Sequence, residues 1–233
     1  MKKLTKKKKI RSHRSVNEMI DEAAKESFPT SDPPAWTLGL PAHHEKLSKK
    51  ERINDISYIL FREHEVIRAV LKVVHQLILQ LEEKQEIDVS RLRAINSFFF
   101  EFINQYHDIK EGKMLSSFEG KNDHPSNYLM KDLEHERQMG KKLQVELEAI
   151  LKEKDLNKNQ VRLKIIKILK ELYHLYINHF SKEEEHVFPF IKDHLTQDNR
   201  ENLYLEFKKV EEPTKKLYSQ LKKLGITLEE FEK

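Results

Sequence analysis

Residues 179–190 read HFSKEEEHVFPF, two histidines and three glutamates set among four large apolar side chains. Upstream, Ile165, Leu169, Leu172 and Tyr176 recur at helical spacing, and the same face continues through His179, Glu183, His186 or Val187, and Phe190. A stripe that looks inward thus turns polar midway. Ionisable side chains are rarely buried unless they are paired or bind a metal ion. The stretch therefore predicts a helix whose inward face carries ligand-type groups.

Working outward, four long periodic stretches cover roughly 51–83, 88–115, 124–154 and 158–193, with short breaks at 84–88, 116–123 and 155–157. Short connections make sequential helices antiparallel neighbours, so the predicted fold is all-α, an up-down-up-down four-helix bundle. A charged fraction of 35% with only 5 glycines suits helices with solvated faces better than a turn-rich sandwich or barrel. A fifth amphipathic stretch, Asp198 to Leu224, must kink or break at Pro213 and is expected outside the bundle. Residues 1–50 differ in composition: a basic opening, a short helix predicted at 15–26, then FPTSDPPAWTLGLPAHHEK with four of the seven prolines. The expected division is an irregular N-terminal arm over 1–50, a bundle over 51–195 and a C-terminal helical extension over 196–233.

Composition removes several classes of chemistry. With no cysteine there is no disulfide, thiolate metal site, Fe–S ligation or Cys nucleophile, so any metal must take nitrogen and oxygen ligands. No run approaches the roughly 18 apolar residues that cross a bilayer. The opening MKKLTKKKKI is not followed by the apolar run of a signal peptide, which predicts a cytoplasmic protein without a membrane span. The net charge of +4 is weak support for a nucleic-acid partner. Eight of the first fourteen residues are Lys or Arg, a tail able to contact phosphates or an anionic surface, although such runs are commonly solvated ends.

Each bundle helix places a histidine on its predicted inward face. The first gives Ile53, Ile56, Leu60, His64, Ile67, Leu71 and Val74; the second Phe100, Ile103, His107, Glu111 and Met114; the third Tyr128, His135, Met139, Leu143 and Ile150. Spacing turns this count into a constellation. His64 precedes His107 by 43 residues and Glu111 follows four later; His135 precedes His179 by 44 and Glu183 follows four later. The halves repeat at an offset of 71 to 72, and INQYHDIKE resembles LYINHFSKE. Two helix hairpins related by a pseudo-twofold axis would each present a lone His and an HxxxE pair to a shared centre. Residues i and i+4 share a helical face, so an imidazole nitrogen and a carboxylate can approach one metal region. A carboxylate can bridge two ions while neutral imidazoles cap them, and a solvent bridge leaves one position open on each ion.

The pattern resembles the hemerythrin-like (HHE) cation-binding domain, through His64, H-D-I-K-E from His107 to Glu111, E-H-E around His135, and H-F-S-K-E-E-E-H-V-F-P from His179 to Pro189. The resemblance covers about residues 51–193. It implies a four-helix bundle holding two non-haem iron ions (Fe2+/Fe3+), oxo- or hydroxo-bridged, that binds or senses O2, NO, peroxide or iron. By position it implies His64, His107, Glu111, His135, His179 and Glu183 as metal ligands. Two departures follow. Oxygen-carrying hemerythrins place a further His one turn after the third-helix ligand, where this chain has Met139, which favours redox reactivity or sensing unless His186 supplies the nitrogen. Relatives implicated in repairing iron centres carry a cysteine-bearing module, and this chain has no cysteine.

Glu184 and Glu185 are predicted to turn away into solvent. His75 lies 11 residues after His64, about 16 Å along a helix axis, too far for the same centre. His13, His43, His44, His124, His174 and His194 lack the register and are assigned to surface or packing. Tyr106 and Tyr176, within a turn of predicted ligands, are assigned to bundle packing, with hydrogen bonding to a bound species as the alternative. Three functional classes stay open: a binder or sensor of a small diatomic ligand or peroxide, a di-iron redox enzyme with peroxidase- or oxidase-like activity, and a metal-free helical scaffold or interaction protein.

Overall fold

The computed structural model describes residues 55–117, 126–156, 158–210 and 214–226. The arm expected over 1–50, with the helix at 15–26, lies outside the described residues, as do His13, His43, His44 and His124. Every regular element among the described residues is helical. Helix α1 (Ile56–Glu82) starts at Asp55, whose carboxylate accepts the Tyr58 backbone N–H at 2.9 Å. It ends where Lys84 takes a φ of 61°, returning the N–H groups of Lys84 and Gln85 to the carbonyls of Leu81 and Gln80. The second bundle helix joins α2 (Val89–Phe98), capped by Asp88, to a π-helical segment (Phe99–His107) and α3 (Asp108–Ser116). The third is α4 (Ser126–Ile150). The fourth joins α5 (Asn159–Lys182), a second π segment (Glu183–Val187) and α6 (Phe188–His194).

Side-chain pairs fix the directions. Arg162, near the start of α5, donates to the Gln85 carbonyl past the end of α1, while His64 meets Glu183 and Glu184 beyond the other end of α5. The α4–α5 pair is antiparallel too, because Gln144 donates to Tyr176 and Lys182 pairs with Asp132. So is the pair formed by the second bundle helix and α4, where Asn104 donates to Gln144 and Lys141 pairs with Asp108. With Glu63 of α1 joined to His107, the four helices alternate up and down around a common core. One half of that core is hydrocarbon, with Leu81, Leu92, Phe98, Leu147, Ile165 and Leu169 buried. Each such side chain contributes about 1.5–3 kcal/mol on leaving water, which anchors the helices whose other ends carry charge.

The fifth predicted stretch forms two helices, α7 (Gln197–Lys208) and α8 (Thr214–Lys223), with Pro213 itself outside the described residues. Phe207 and Leu221 are buried on them, Glu206 of α7 pairs with Lys113 of α3, and Gln220 of α8 donates to Ser97 and Glu101 of the second bundle helix. Two stripes differ from expectation. Phe100 is 53% exposed while Phe99 and Phe102 are buried, because the π segment inserts an extra residue and rotates the face. On α4, Tyr128 and Met139 are exposed, and the inward line is Leu133, Gly140, Leu143, Leu147 and Ile150. Gly140 carries no side chain to mark the true face, so the apolar pattern is silent where it turns.

Candidate metal centre

The polar half of the core brings five ionisable residues together. His64 comes from α1, His107 from the end of the first π segment, Glu111 from α3 one turn later, His179 from the last turn of α5, and Glu183 from the start of the second π segment. All five are buried. They form two groups, His64, His107 and Glu183, and Glu111, His179 and Glu183, with ligand-type atoms within 4.8 Å of one another in each. Glu183 belongs to both, the arrangement of a carboxylate that can bridge.

Each imidazole is held from behind by a carboxylate. Nδ1 of His64 lies 2.7 Å from Glu184, Nδ1 of His107 3.0 Å from Glu63, and Nδ1 of His179 3.0 Å from Glu136. Each carboxylate is itself held by a cation, Arg68 at 2.6 Å, Lys110 at 2.5 Å and Lys182 at 2.6 Å respectively. An Nδ1–H that donates to a carboxylate leaves the Nε2 lone pair facing the interior, the orientation metal-binding histidines use. Nε2 of His64 and of His107, Oε1 of Glu111 and both oxygens of Glu183 are buried without a hydrogen-bond partner. The Nε2 of His64 approaches Glu183 Oε2 at 3.0 Å but without hydrogen-bond geometry. Buried nitrogen and oxygen atoms that converge without a hydrogen-bond partner are costly as they stand and match the ligand set of a divalent cation.

Electrostatics follow from the same contacts. Burial, and then the neighbouring His107, push His64 well below its ordinary 6.5, so its ring is neutral. In His179 burial is outweighed by Glu111, Glu136 and Glu183, which raise it well above that value. Burial and the charge of Glu111 hold the Glu183 carboxyl well above the usual carboxylate range. Burial opposes ionisation of Glu111 as well, yet His179, Arg137 and His107 hold it at about 2. Both shifts favour the protonated forms of His179 and Glu183 in the metal-free cluster. Phe180 stacks on His64 at 4.1 Å and Phe188 at 5.6 Å, an apolar wall that excludes water.

Of the six residues singled out as ligands, His135 lies apart: it is exposed on α4 and in neither group. Leu133 and Gly140 take the inward face, and Arg137 reaches the site instead, its Nη1 3.0 Å from Oε1 of Glu111. His186 is exposed, so it brings no nitrogen to the centre. Glu184, expected in solvent, is mostly buried against His64 and Arg68, because the second π segment turns it inward. Glu185 is exposed. His75 lies against Tyr173, and His194 stacks on Phe190 at 4.0 Å. Tyr176 accepts a hydrogen bond from Gln144, and Lys110 lies over the Tyr106 ring, both within the helix packing. Sequence reasoning missed Glu63, Glu136 and Arg137. A signal for the first two exists: H-D-I-K-E and H-F-S-K-E both carry a lysine three residues after the histidine, and Lys110 and Lys182 are the cations that hold those carboxylates.

No helix among the described residues is long and apolar enough to cross a membrane. No curated protein and no solved structure matches the chain. Residues 55–191 match the family model of the hemerythrin HHE cation binding domain, which takes in all five buried ligand-type residues. That match spans more than half of the chain, which therefore belongs to the hemerythrin HHE cation-binding family.

Proposed function

We propose that the chain is a cytoplasmic non-haem di-iron protein that binds or senses O2, NO or peroxide at an open iron position. His64, His107 and Glu183 would hold one ion and Glu111, His179 and Glu183 the other, with an oxo or hydroxo bridge between them. The observation that carries the reading is the set of buried Nε2 and carboxylate atoms that converge without a hydrogen-bond partner while every Nδ1 is fixed by a carboxylate. Bound iron supplies reversible electron donation to a small oxidising ligand. The protein's part is to hold the imidazoles aimed, to keep the bridging carboxylate in place, and to line the centre with the rings of Phe180 and Phe188.

The five-residue set contains three imidazoles, and the position one turn after His135 is Met139. This nitrogen-poor set favours sensing or redox reactivity over oxygen carriage, so a peroxidase- or oxidase-like enzyme is the second reading. A spectrum of the iron-loaded, reduced chain before and after exposure to air tests both. Oxo-bridged ferric absorption is expected. A stable spectrum without turnover supports the binder, sustained peroxide consumption supports the enzyme, and failure to take up iron leaves a metal-free helical scaffold.

A further inference from the structure

The two halves of the duplication differ where α4 meets the centre. Arg68, one turn after His64, holds Glu184, and Glu184 orients the His64 ring. At the offset of 71 to 72 residues, Arg68 corresponds to Met139 and Glu184 to Gly112, so His135 lacks the counterparts of the cation and carboxylate that hold the His64 ring. Arg137 occupies that side instead, nearly buried, with Nη1 3.0 Å from Glu111 Oε1 and its other end paired with Glu134 at the surface.

A guanidinium carries its charge at every accessible pH. Its contact with Glu111 is one of charge alone, since Nη1 and Oε1 are both buried without a hydrogen-bond partner. Resting on the metal-binding reading above, we infer that Arg137 is a resident counter-cation that makes the two metal positions load in order. The position of His64, His107 and Glu183 has two imidazoles and no ligand ion-paired with Arg137, and it fills first. The position of Glu111, His179 and Glu183 fills second and more weakly, because its ion must share Glu111 with a fixed positive charge or displace it. Glu134 provides the outward partner that keeps the guanidinium paired once it leaves Glu111.

The test is an anaerobic titration of the full chain with Co2+, followed by visible absorption and calorimetry. The wild type is expected to bind in two steps whose affinities differ at least about tenfold, the scale on which a ligand's outer partners change metal affinity. Arg137→Met and Arg137→Gln are expected to close that gap by strengthening the second step, while Arg137→Lys, which keeps the charge, retains it. Circular dichroism confirms the fold of each variant, and the wild-type gap stands as a test even if one variant fails to fold. Two equal steps in the wild type, or a gap unchanged in both neutral variants, overturn the inference while leaving the metal centre intact. A wild type that binds no Co2+ overturns the centre itself, and the inference with it.

Discussion

Glu183 is fully buried, offers an oxygen to both ligand groups and has a hydrogen-bond partner on neither. Without a cation its protonated form is favoured, as is that of His179, because burial and Glu111 raise the first and the surrounding carboxylates raise the second. A metal ion must replace both protons, whereas His64 is already neutral and gives up none. Affinity is therefore expected to rise with pH through the range around neutrality, with protons released on binding. Calorimetry in buffers of different ionisation enthalpy reads this directly, and a pH-independent affinity without proton release would count against the site. The carboxylates behind the rings give a second prediction. Glu63→Gln removes the negative charge of the acceptor that fixes His107, and is expected to weaken metal binding by ~10–100-fold with helical content unchanged. At this scale the sequence exposed the five buried ligand-type residues, because polar groups on an apolar stripe stand out. It did not expose Glu63, Glu136 or Glu184, since a surface-looking glutamate beside a histidine reads the same whether it is solvated or turned inward.

Two π segments decide which faces those residues reach. The first ends at His107, with the Asp108 N–H reaching back to the Ile103 carbonyl, and the second begins at Glu183, with the Phe188 N–H reaching back to Glu183. Pro189 follows the second; it has no N–H to donate and its ring crowds the carbonyl of Glu185, which favours a widened turn there. A constant period of 3.6 carries no trace of an inserted residue, so Phe100 and Glu184 were read on the wrong faces. On α4 the decisive residue is Gly140. A Cβ built there would lie 2.8 Å from the Tyr176 hydroxyl and 3.2 Å from Leu175 Cδ2, and the Tyr176 ring is pinned between Phe99 and Phe180. Gly140→Ala is expected to destabilise the protein by about 1–3 kcal/mol through overpacking, read as a lower denaturation midpoint. An unchanged midpoint would mean that α4 and α5 separate more readily than this packing allows.

For the molecule as a whole, one half of the bundle is held by hydrocarbon and the other by ions that lack a central partner. The fold class was readable from four long periodic stretches with short breaks, since periodicity and loop length are local properties. The spacing predicts a pseudo-twofold but carries no sign of the exception at His135, where Met139 and Gly112 stand in place of Arg68 and Glu184. If a cation completes the polar half, binding must stabilise the fold by linkage. Metal at 100 times its dissociation constant is expected to add about 2.7 kcal/mol, a shift of several degrees in Tm. The most direct measurement of the centre is anaerobic loading of the full chain with saturating Fe2+, removal of excess metal, and quantification of iron against protein for the wild type and Glu183→Gln. Two ions per wild-type chain, one for each ligand group, and a collapse of that number in the folded variant are the predicted result. A wild type that retains no iron, or a variant that retains as much as the wild type, would contradict it.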